Sequence, residues 1–418
     1  MAVRRRPLLQ VLLLGVACSF CTRLAWCLPS GFRAKSPASL RAPRITAKAA
    51  EQESEARWQS FAAWLAARGG NMANVKIAEI NGMRGLVATR DIAENESIVE
   101  IPLGASIDIT DEKKERDPSL NALNLLRLQN EEELAPYFEL LPGRDSEEMV
   151  RMPDFYSDEE LEMLQCPEVI QKTKRRRELC SRRASESFDL DSVTWALCTV
   201  AARAFSVLSP VDGLLNLLLP GIDLFNHDAH AQHTLKVRWN LDGYVDALFK
   251  VVAGSPIKKG EEIRICYGGS PFRPDGCGGD CVGDFALNNA QYLQRYGFVD
   301  GCMGTTMVDG KWLVQDEAES IRQSLAQTSV QDDDELLSDS SLPLPRQTAL
   351  QFRRQLKIAL KAQQEADALA EKAEAAKSEE QKRAEAEAKA KREQEASIKE
   401  ANAEEARKQL LAALEEKQ

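Results

Sequence analysis

The spacing of apolar positions changes along this chain, and the changes divide it into segments. From Trp58 to Ala67 apolar residues recur at three- and four-residue intervals, which predicts a helix that Gly69-Gly70 ends. Val75 to Ile80, Leu86 to Thr89 and Ser97 to Ile101 alternate instead, as short strands do, with turns at Asn81-Gly82 and around Ala93 to Glu96. Between Asp111 and Leu208 the helical period returns, over Leu120 to Gln129, Glu131 to Leu140, Ser157 to Gln165, Pro167 to Glu186 and Asp191 to Val207. Ser157 with Glu160 three residues on is a capping box, and Asp191 before Thr194 is a further N-cap.

After Pro210 alternation resumes in Thr234 to Trp239, Tyr244 to Val251 and Glu262 to Cys266, divided by Asp242-Gly243 and Lys259-Gly260. A short helix is expected from Gln291 to Tyr296, ending on Gly297. From Arg353 to Gln418 there is no Gly, Pro or aromatic residue, and Ala, Glu, Lys and Gln dominate, so this segment should be helical. The positions a coiled coil would bury are mostly Ala, with Ile398, Leu410, Leu411 and Leu414 among the exceptions, which fits a solvated helix or a weak coiled coil serving as a spacer or docking arm.

Charge separates the first fifty residues from the rest. They hold nine Lys and Arg and no acid, and without them 45 basic face 65 acidic residues, a net of −20. Such a body is a poor match for phosphate backbones, so nonspecific nucleic-acid binding is excluded; the basic run Lys172 to Arg177 fits a solvated helix face. Arg4-Arg5-Arg6 precedes an apolar run from Leu8 to Cys18 that is too short to span a bilayer and resembles a secretory signal. Leu28 to Ala50 is rich in Arg, Lys, Ser and Ala, as transit peptides are. Together they resemble the bipartite leaders of complex plastids, with Phe32 shortly after the expected cut; plain secretion or a mitochondrial address is the alternative. After leader removal no stable membrane span is expected. Seven cysteines then remain at irregular spacing, which fits a reducing compartment; Cys277 and Cys281 flank a Gly-rich loop that could hold a disulfide or half a metal site.

All three histidines fall between Gly221 and His233, as His227, His230 and His233. Imidazole clustering suggests a metal site or a proton shuttle, but the i, i+3, i+6 spacing drifts round a helix and no fourth ligand lies nearby. Two further motifs stand on either side of the helical segment. Gly82-Met83-Arg84-Gly85-Leu86 lets a backbone turn approach a small ligand, and Cys266-Tyr267-Gly268-Gly269 precedes Asn289-Ala290-Gln291 and Tyr296-Gly297-Phe298.

Taken together, and in this order, the motifs resemble the SET-domain protein methyltransferases of the Rubisco large-subunit lysine methyltransferase-like branch. The likeness runs from Trp58 to Val299 and includes the insert, in Asp154-Phe155-Tyr156-Ser157 and in Trp195-Ala196-Leu197 through Arg203-Ala204-Phe205. It implies an α+β fold: a SET-type β-clip of short sheets with a pseudoknot, split by a helical insert, then a shortened helical C-terminal region and a long charged helix. The implied divisions are a targeting leader (1–50), an N-terminal SET half (51–110), the insert (111–210), a C-terminal SET half (211–300), a substrate-binding-like region (301–360) and the charged helix (361–418). The resemblance also implies S-adenosylmethionine as cofactor, cradled by Arg84, Gly85 and Leu86, with Arg203 on its carboxylate, Asn226 and His227 on its amino-acid and adenine ends, and Asp223 supporting the turn. Tyr267 would be catalytic, Tyr296 and Phe298 would line the substrate channel, and no metal is implied.

The implied reaction moves a methyl group to a lysine ε-amine of a protein, with a plastid protein such as the Rubisco large subunit as the candidate substrate. Histidine methylation and a catalytically idle scaffold are the alternatives. Two departures bear on the substrate. An insertion from Ser270 to Leu287 stands where relatives have a few residues, and the helical domain that relatives use to hold the protein substrate is shortened to about Asp332 through Ala362. A partner is expected through a coiled coil of the C-terminal helix.

Overall fold

The computed structural model describes residues 47–80, 82–111, 117–240, 246–267, 287–301, 322–323 and 325–415. Three small sheets form its β-rich part. The first joins β1 (Val75–Ile80), β2 (Met83–Ala88), β7 (Asn226–His227) and β10 (Glu262–Ile265) in the order β1-β2-β10-β7. The second sets β3 (Ser97–Pro102) beside β9 (Asp246–Val252) and β8 (Thr234–Asn240). The third sets β4 (Ile107–Asp108) beside β6 (Gly213–Leu218) and β5 (Ala204–Ser209). Each sheet thus combines strands from before and after the helical segment. The two flanks cannot form separate domains, because each supplies hydrogen-bond partners to the other.

The helices follow the expected order. α1 (Ala47–Ala67) lays Trp58, Phe61, Trp64 and Leu65 into the core that the sheets share. The insert contains α2 (Pro118–Leu128), α3 (Ala135–Phe138), α4 (Glu147–Val150), α5 (Asp158–Glu162), α6 (Pro167–Arg183) and α7 (Leu190–Arg203). Ser157 and Glu160 form both halves of the capping box that starts α5. α8 (Asn289–Tyr296) starts on a second capping box, Asn288 with Gln291, and ends on Gly297.

Two expected helices differ. Glu131 to Leu140 is a 3-10 turn over Glu132–Leu134 followed by the four-residue α3, because Pro136 lacks the N–H that a continuous helix would need there. The helix expected to reach Val207 stops at Arg203, and its N-cap is Asp189, not Asp191. Residues Ala204 to Ser209 alternate and pair with β6 from Ala204↔Leu218 to Ser209↔Gly213. Gly213, at φ +78°, makes the hairpin turn that a side chain would strain. This puts Arg203 at the junction of a buried helix and a sheet.

A second core lies under the C-terminal helices. α9 (Val330–Leu337) leads to α10 (Leu344–Glu415), 72 residues long and starting nine residues before Arg353. Its first turns bury Ala349, Phe352, Leu356 and Ala359 against Tyr156, Leu161, Leu164 and Val169 of the insert and Leu293 of α8. Asp333 is fully buried on α9, where Arg353 and Lys357 of α10 both donate to it; Lys357 Nζ also reaches Thr328 Oγ1 at 2.6 Å. Two cations on one carboxylate compensate the cost of burying it, which ties α9 to α10. Residues 367–400 of α10 are exposed throughout, as the Ala-rich composition predicts.

Only the start of α10 should therefore contribute to the stability of the body. Phe352→Ala is expected to lower the unfolding free energy by roughly 3–5 kcal/mol, as deletion of a fully buried phenyl ring does. Removal of residues 371–418 should leave the melting temperature unchanged. Calorimetric melting of both variants checks the pair.

Candidate active site

The histidine segment is anchored by backbone pairing to a strand far along the chain. β7 is two residues long and runs parallel to β10, with Asn226 opposite Arg264 and His227 opposite Ile265. The Asp228 amide extends the pairing by donating to Ile265 O at 3.1 Å. β10 also pairs antiparallel with β2, Glu262 opposite Val87 and Ile263 opposite Leu86. Residues Met83 to Leu86, which form strand rather than the expected turn, and the Asn226-His227 dipeptide therefore flank one strand. A later strand laid against the histidine segment is the pairing that the expected pseudoknot uses.

Side chains lock the two flanks together. Asn226 Nδ2 donates to Arg84 O at 3.1 Å and to Glu262 Oε1 at 2.9 Å. A Cβ on Gly85 would stand 2.7 Å from Asn226 Nδ2 and 2.8 Å from Glu262 Oε1, inside any allowed contact. Asn226 and Glu262 thus close over Gly85, and a side chain there would have to displace their ends. Leu86 beside it is fully buried.

Just past β10, Tyr267 meets His227 again. The Tyr267 amide donates to His227 Nδ1 at 3.0 Å, so the ring's proton sits on Nε2, 3.4 Å from Asp300 Oδ2. The Tyr267 hydroxyl donates to Phe225 O at 2.5 Å, and Tyr292 OH donates to Tyr267 O at 3.2 Å. Rings surround the phenol. Tyr296 is 4.6 Å from Tyr267 between centroids, His227 5.2 Å and Phe298 6.3 Å, while Tyr292 packs 4.8 Å from His227. Burial pushes the Tyr267 phenol above its ordinary range, with Arg203 pulling the other way. At neutral pH it is a hydroxyl, able to donate one hydrogen bond and accept others.

Below this aromatic group lies a charged one. Arg203, 8% exposed, donates from Nη1 to Asp223 O at 2.7 Å and from Nη2 to Glu148 Oε1 at 2.6 Å. Its Nε is buried and has no hydrogen-bond partner. Burial works against the Arg203 charge, but Glu148 and Asp223 more than offset it, so the guanidinium stays protonated. Asp223 accepts from Tyr137 OH at 2.7 Å and from the Gly221 amide at 3.0 Å, which holds the 3-10 turn Ile222–Leu224 in place. Burial pushes the Asp223 carboxyl up, opposed by Arg203 and by the Tyr137 hydroxyl. Arg84 joins from β2, donating to Leu140 O at 2.6 Å.

A model of the SET domain matches residues 83–268. Over those residues the chain is similar to that family. The chain is 26% identical to the chloroplastic ribulose-1,5-bisphosphate carboxylase/oxygenase large subunit N-methyltransferase of Pisum sativum, over 58% of this chain and 51% of that one. It is 28% identical to the chloroplastic [fructose-bisphosphate aldolase]-lysine N-methyltransferase of Arabidopsis thaliana, over 52% of this chain and 46% of that one. The chain thus spans about half the length of these curated relatives. Its fold matches the crystal structure of the SET domain of LSMT bound to lysine and AdoHcy, with TM-score 0.54 and 19% identity, covering 74% of this chain and 90% of that one. It also matches Rubisco LSMT bound to AdoMet, with TM-score 0.51 and 18% identity, covering 73% and 90%.

Within the matched segment and the helix that follows it, the residues singled out in the sequence converge. Arg84, Gly85 and Leu86 lie on β2, Asn226 and His227 on β7, Arg203 and Asp223 in the charged group, and Tyr267, Tyr296 and Phe298 in the aromatic one. Tyr292, Glu148, Tyr137 and Asp300 were not singled out. Tyr292 had a usable signal, since it stands four residues before Tyr296 on α8 and so shares its face. The other three come from loops and one-turn helices whose spacing carries no such mark. Cys277, Cys281 and most of the Ser270–Leu287 insertion lie outside the described residues.

The other two histidines do other work. The His230 amide donates to Asp228 Oδ1 at 2.8 Å, and its side chain is exposed. His233 Nδ1 accepts from the Gly254 amide at 3.3 Å, between β8 and β9. Among the described residues, no group of three or more His, Cys, Asp or Glu is placed to hold a metal ion.

Accepting from Gly254 requires His233 to be neutral at Nδ1, and burial depresses its pKa below the ordinary 6.5. The unfolded chain then takes up this proton at higher pH than the folded one. The His233 contribution to stability is complete above about 6.5 and is lost as pH falls below it. Urea unfolding at about pH 8 and about pH 5 should show wild type losing more stability on acidification than His233→Gln. Equal losses would contradict this role.

Proposed function

We propose that this chain is a protein-lysine N-methyltransferase that uses S-adenosylmethionine, in which residues 83–268 carry the chemistry and the helices after them help hold the substrate. One observation carries the reading. The parallel pairing of β7 with β10 sets His227 against Tyr267, while Arg203, buried beside them, keeps a donor nitrogen without a partner. An unmet buried N–H is costly and calls for an acceptor, and a carboxylate suits a guanidinium best. The close approach of Asn226 to the bare Gly85 backbone fits a small-molecule cradle as well.

In this reading Arg203 takes the carboxylate of the cofactor's amino-acid end. Arg84, Gly85 and Leu86 offer backbone along it, Asn226 and His227 flank its polar ends, and Asp223 holds the turn and the Arg203 guanidinium. When bound, S-adenosylmethionine supplies a methyl group on a positively charged sulfur. The protein's part is to align a neutral amine with that methyl and to keep water out. The Tyr267 hydroxyl donates to Phe225 O, and a hydroxyl oxygen can also accept an amine N–H and orient the nitrogen. Burial keeps the phenol protonated, so it positions the amine and does not remove its proton. A lysine amine titrates near ~10.4 in water, and entry into a ring-lined channel between Tyr296 and Phe298 lowers that value.

The relatives support a plastid setting and a protein substrate, since both are named as chloroplastic, one for the ribulose-1,5-bisphosphate carboxylase/oxygenase large subunit and the other for fructose-bisphosphate aldolase. We take the first fifty residues as a plastid-directing leader, 51–110 and 211–300 as the SET halves around the insert 111–210, and 301–360 as a shortened substrate-holding region. The arm from 361 onward would bind a helical partner as a coiled coil.

Labelled-methyl transfer from S-adenosylmethionine onto a plastid extract, followed by mapping of the modified residue, tests the activity; transfer to histidine only, or none, would count against it. Tyr267→Phe should lower turnover at least tenfold, the typical scale for one oriented catalytic contact, while cofactor affinity changes little. Unchanged turnover would remove Tyr267 from the mechanism.

A further inference from the structure

Arg203 lies against a carboxylate that its other contacts do not explain. Glu148 comes from the one-turn α4, capped by Ser146, and places Oε1 2.6 Å from Arg203 Nη2. Its side chain is 38% exposed, against 9% for that of Arg203, so the pair stands at the mouth of the charged group. Because Arg203 is buried, opening the pair needs another anion to take the place of Glu148 on the guanidinium.

The other carboxylates near Arg203 and the β7–β10 pairing are already committed. Asp223 accepts from Tyr137 OH and the Gly221 amide and faces Arg203 at 3.9 Å. Glu262 accepts from Asn226 and from Arg264. Glu148 hydrogen-bonds Arg203 alone among the described residues, with the Arg84 guanidinium near enough to interact with its charge. The cofactor's amino-acid end is a zwitterion, with carboxylate and ammonium on the same carbon. A cation and an anion in contact, one with an unsatisfied buried donor and the other open to solvent, match such a head group in both signs.

We propose that Glu148 is the acceptor for the cofactor's α-ammonium. The Arg203–Glu148 pair parts as the ligand enters, and each member takes the opposite charge of the zwitterion. The helical insert would then belong to the cofactor site through α4, in addition to the two SET halves it separates. This rests on the proposed use of S-adenosylmethionine.

The test is calorimetric binding of S-adenosylhomocysteine and of 5′-methylthioadenosine, which lacks the amino-acid end, to the full chain and to Glu148→Gln. The variant should bind S-adenosylhomocysteine about tenfold more weakly, about 1.4 kcal/mol, and methylthioadenosine as wild type does. Unchanged or tighter S-adenosylhomocysteine binding would overturn the proposal, tighter binding meaning that the carboxylate merely competes for Arg203. Equal weakening toward both ligands would also overturn it, since packing alone would explain that. Failure of the wild-type chain to bind S-adenosylhomocysteine would instead contradict the functional reading beneath it.

Discussion

The site depends on two residue pairs of parallel β-structure, Asn226 with Arg264 and Ile265 with His227. A strand this short has little stability of its own and persists because tertiary contacts fix it. Asn226 reaches across to β2, Asp228 prolongs the pairing to Ile265 O, and His227 accepts the Tyr267 amide. Loss of that register would release the Gly85 strand, the imidazole and the tyrosine from one another. The helical insert is compatible with it because every sheet draws strands from both sides of the insert.

The charged group beneath adds a second constraint. Arg203, Asp223, Tyr137 and Glu148 bury opposite charges in contact, which costs desolvation that the hydrogen bonds largely return. The exception is Arg203 Nε, and an unmet donor inside such a network points to a binding role. Asp223 links the two constraints, since the turn it holds leads directly into Phe225, whose carbonyl takes the Tyr267 hydroxyl.

Much of this was legible in the sequence because local chemistry and tertiary position agree there. The capping box at Ser157, the alternation of β1, β3 and β8, and Gly297 after α8 each announce an element through a local rule. The β5–β6 hairpin was masked by its neighbour, since the apolar residues of α7 run on into Phe205 and Val207 and the change of period falls between them. Proline at 136 likewise broke a helix whose apolar spacing looked continuous. Among the site residues, those in motifs were found and those in irregular segments were not. Glu148 is one of many surface glutamates until the fold sets it beside Arg203, and long-range juxtaposition of that kind leaves no periodic trace.

The histidine cluster shows the same distinction. Proximity in sequence suggested one shared site, yet His227 joins Tyr267, His230 faces outward and His233 caps Gly254. The central claim is that Gly85, Asn226-His227 and Arg203 form one cofactor cradle opening onto Tyr267. A crystal structure of the full chain with S-adenosylhomocysteine tests it most directly. Such a cradle places the ligand's carboxylate on Arg203 and its sulfur facing the Tyr267 hydroxyl. A ligand seated elsewhere, with the Arg203–Glu148 contact intact and nothing beside Asn226, would contradict it.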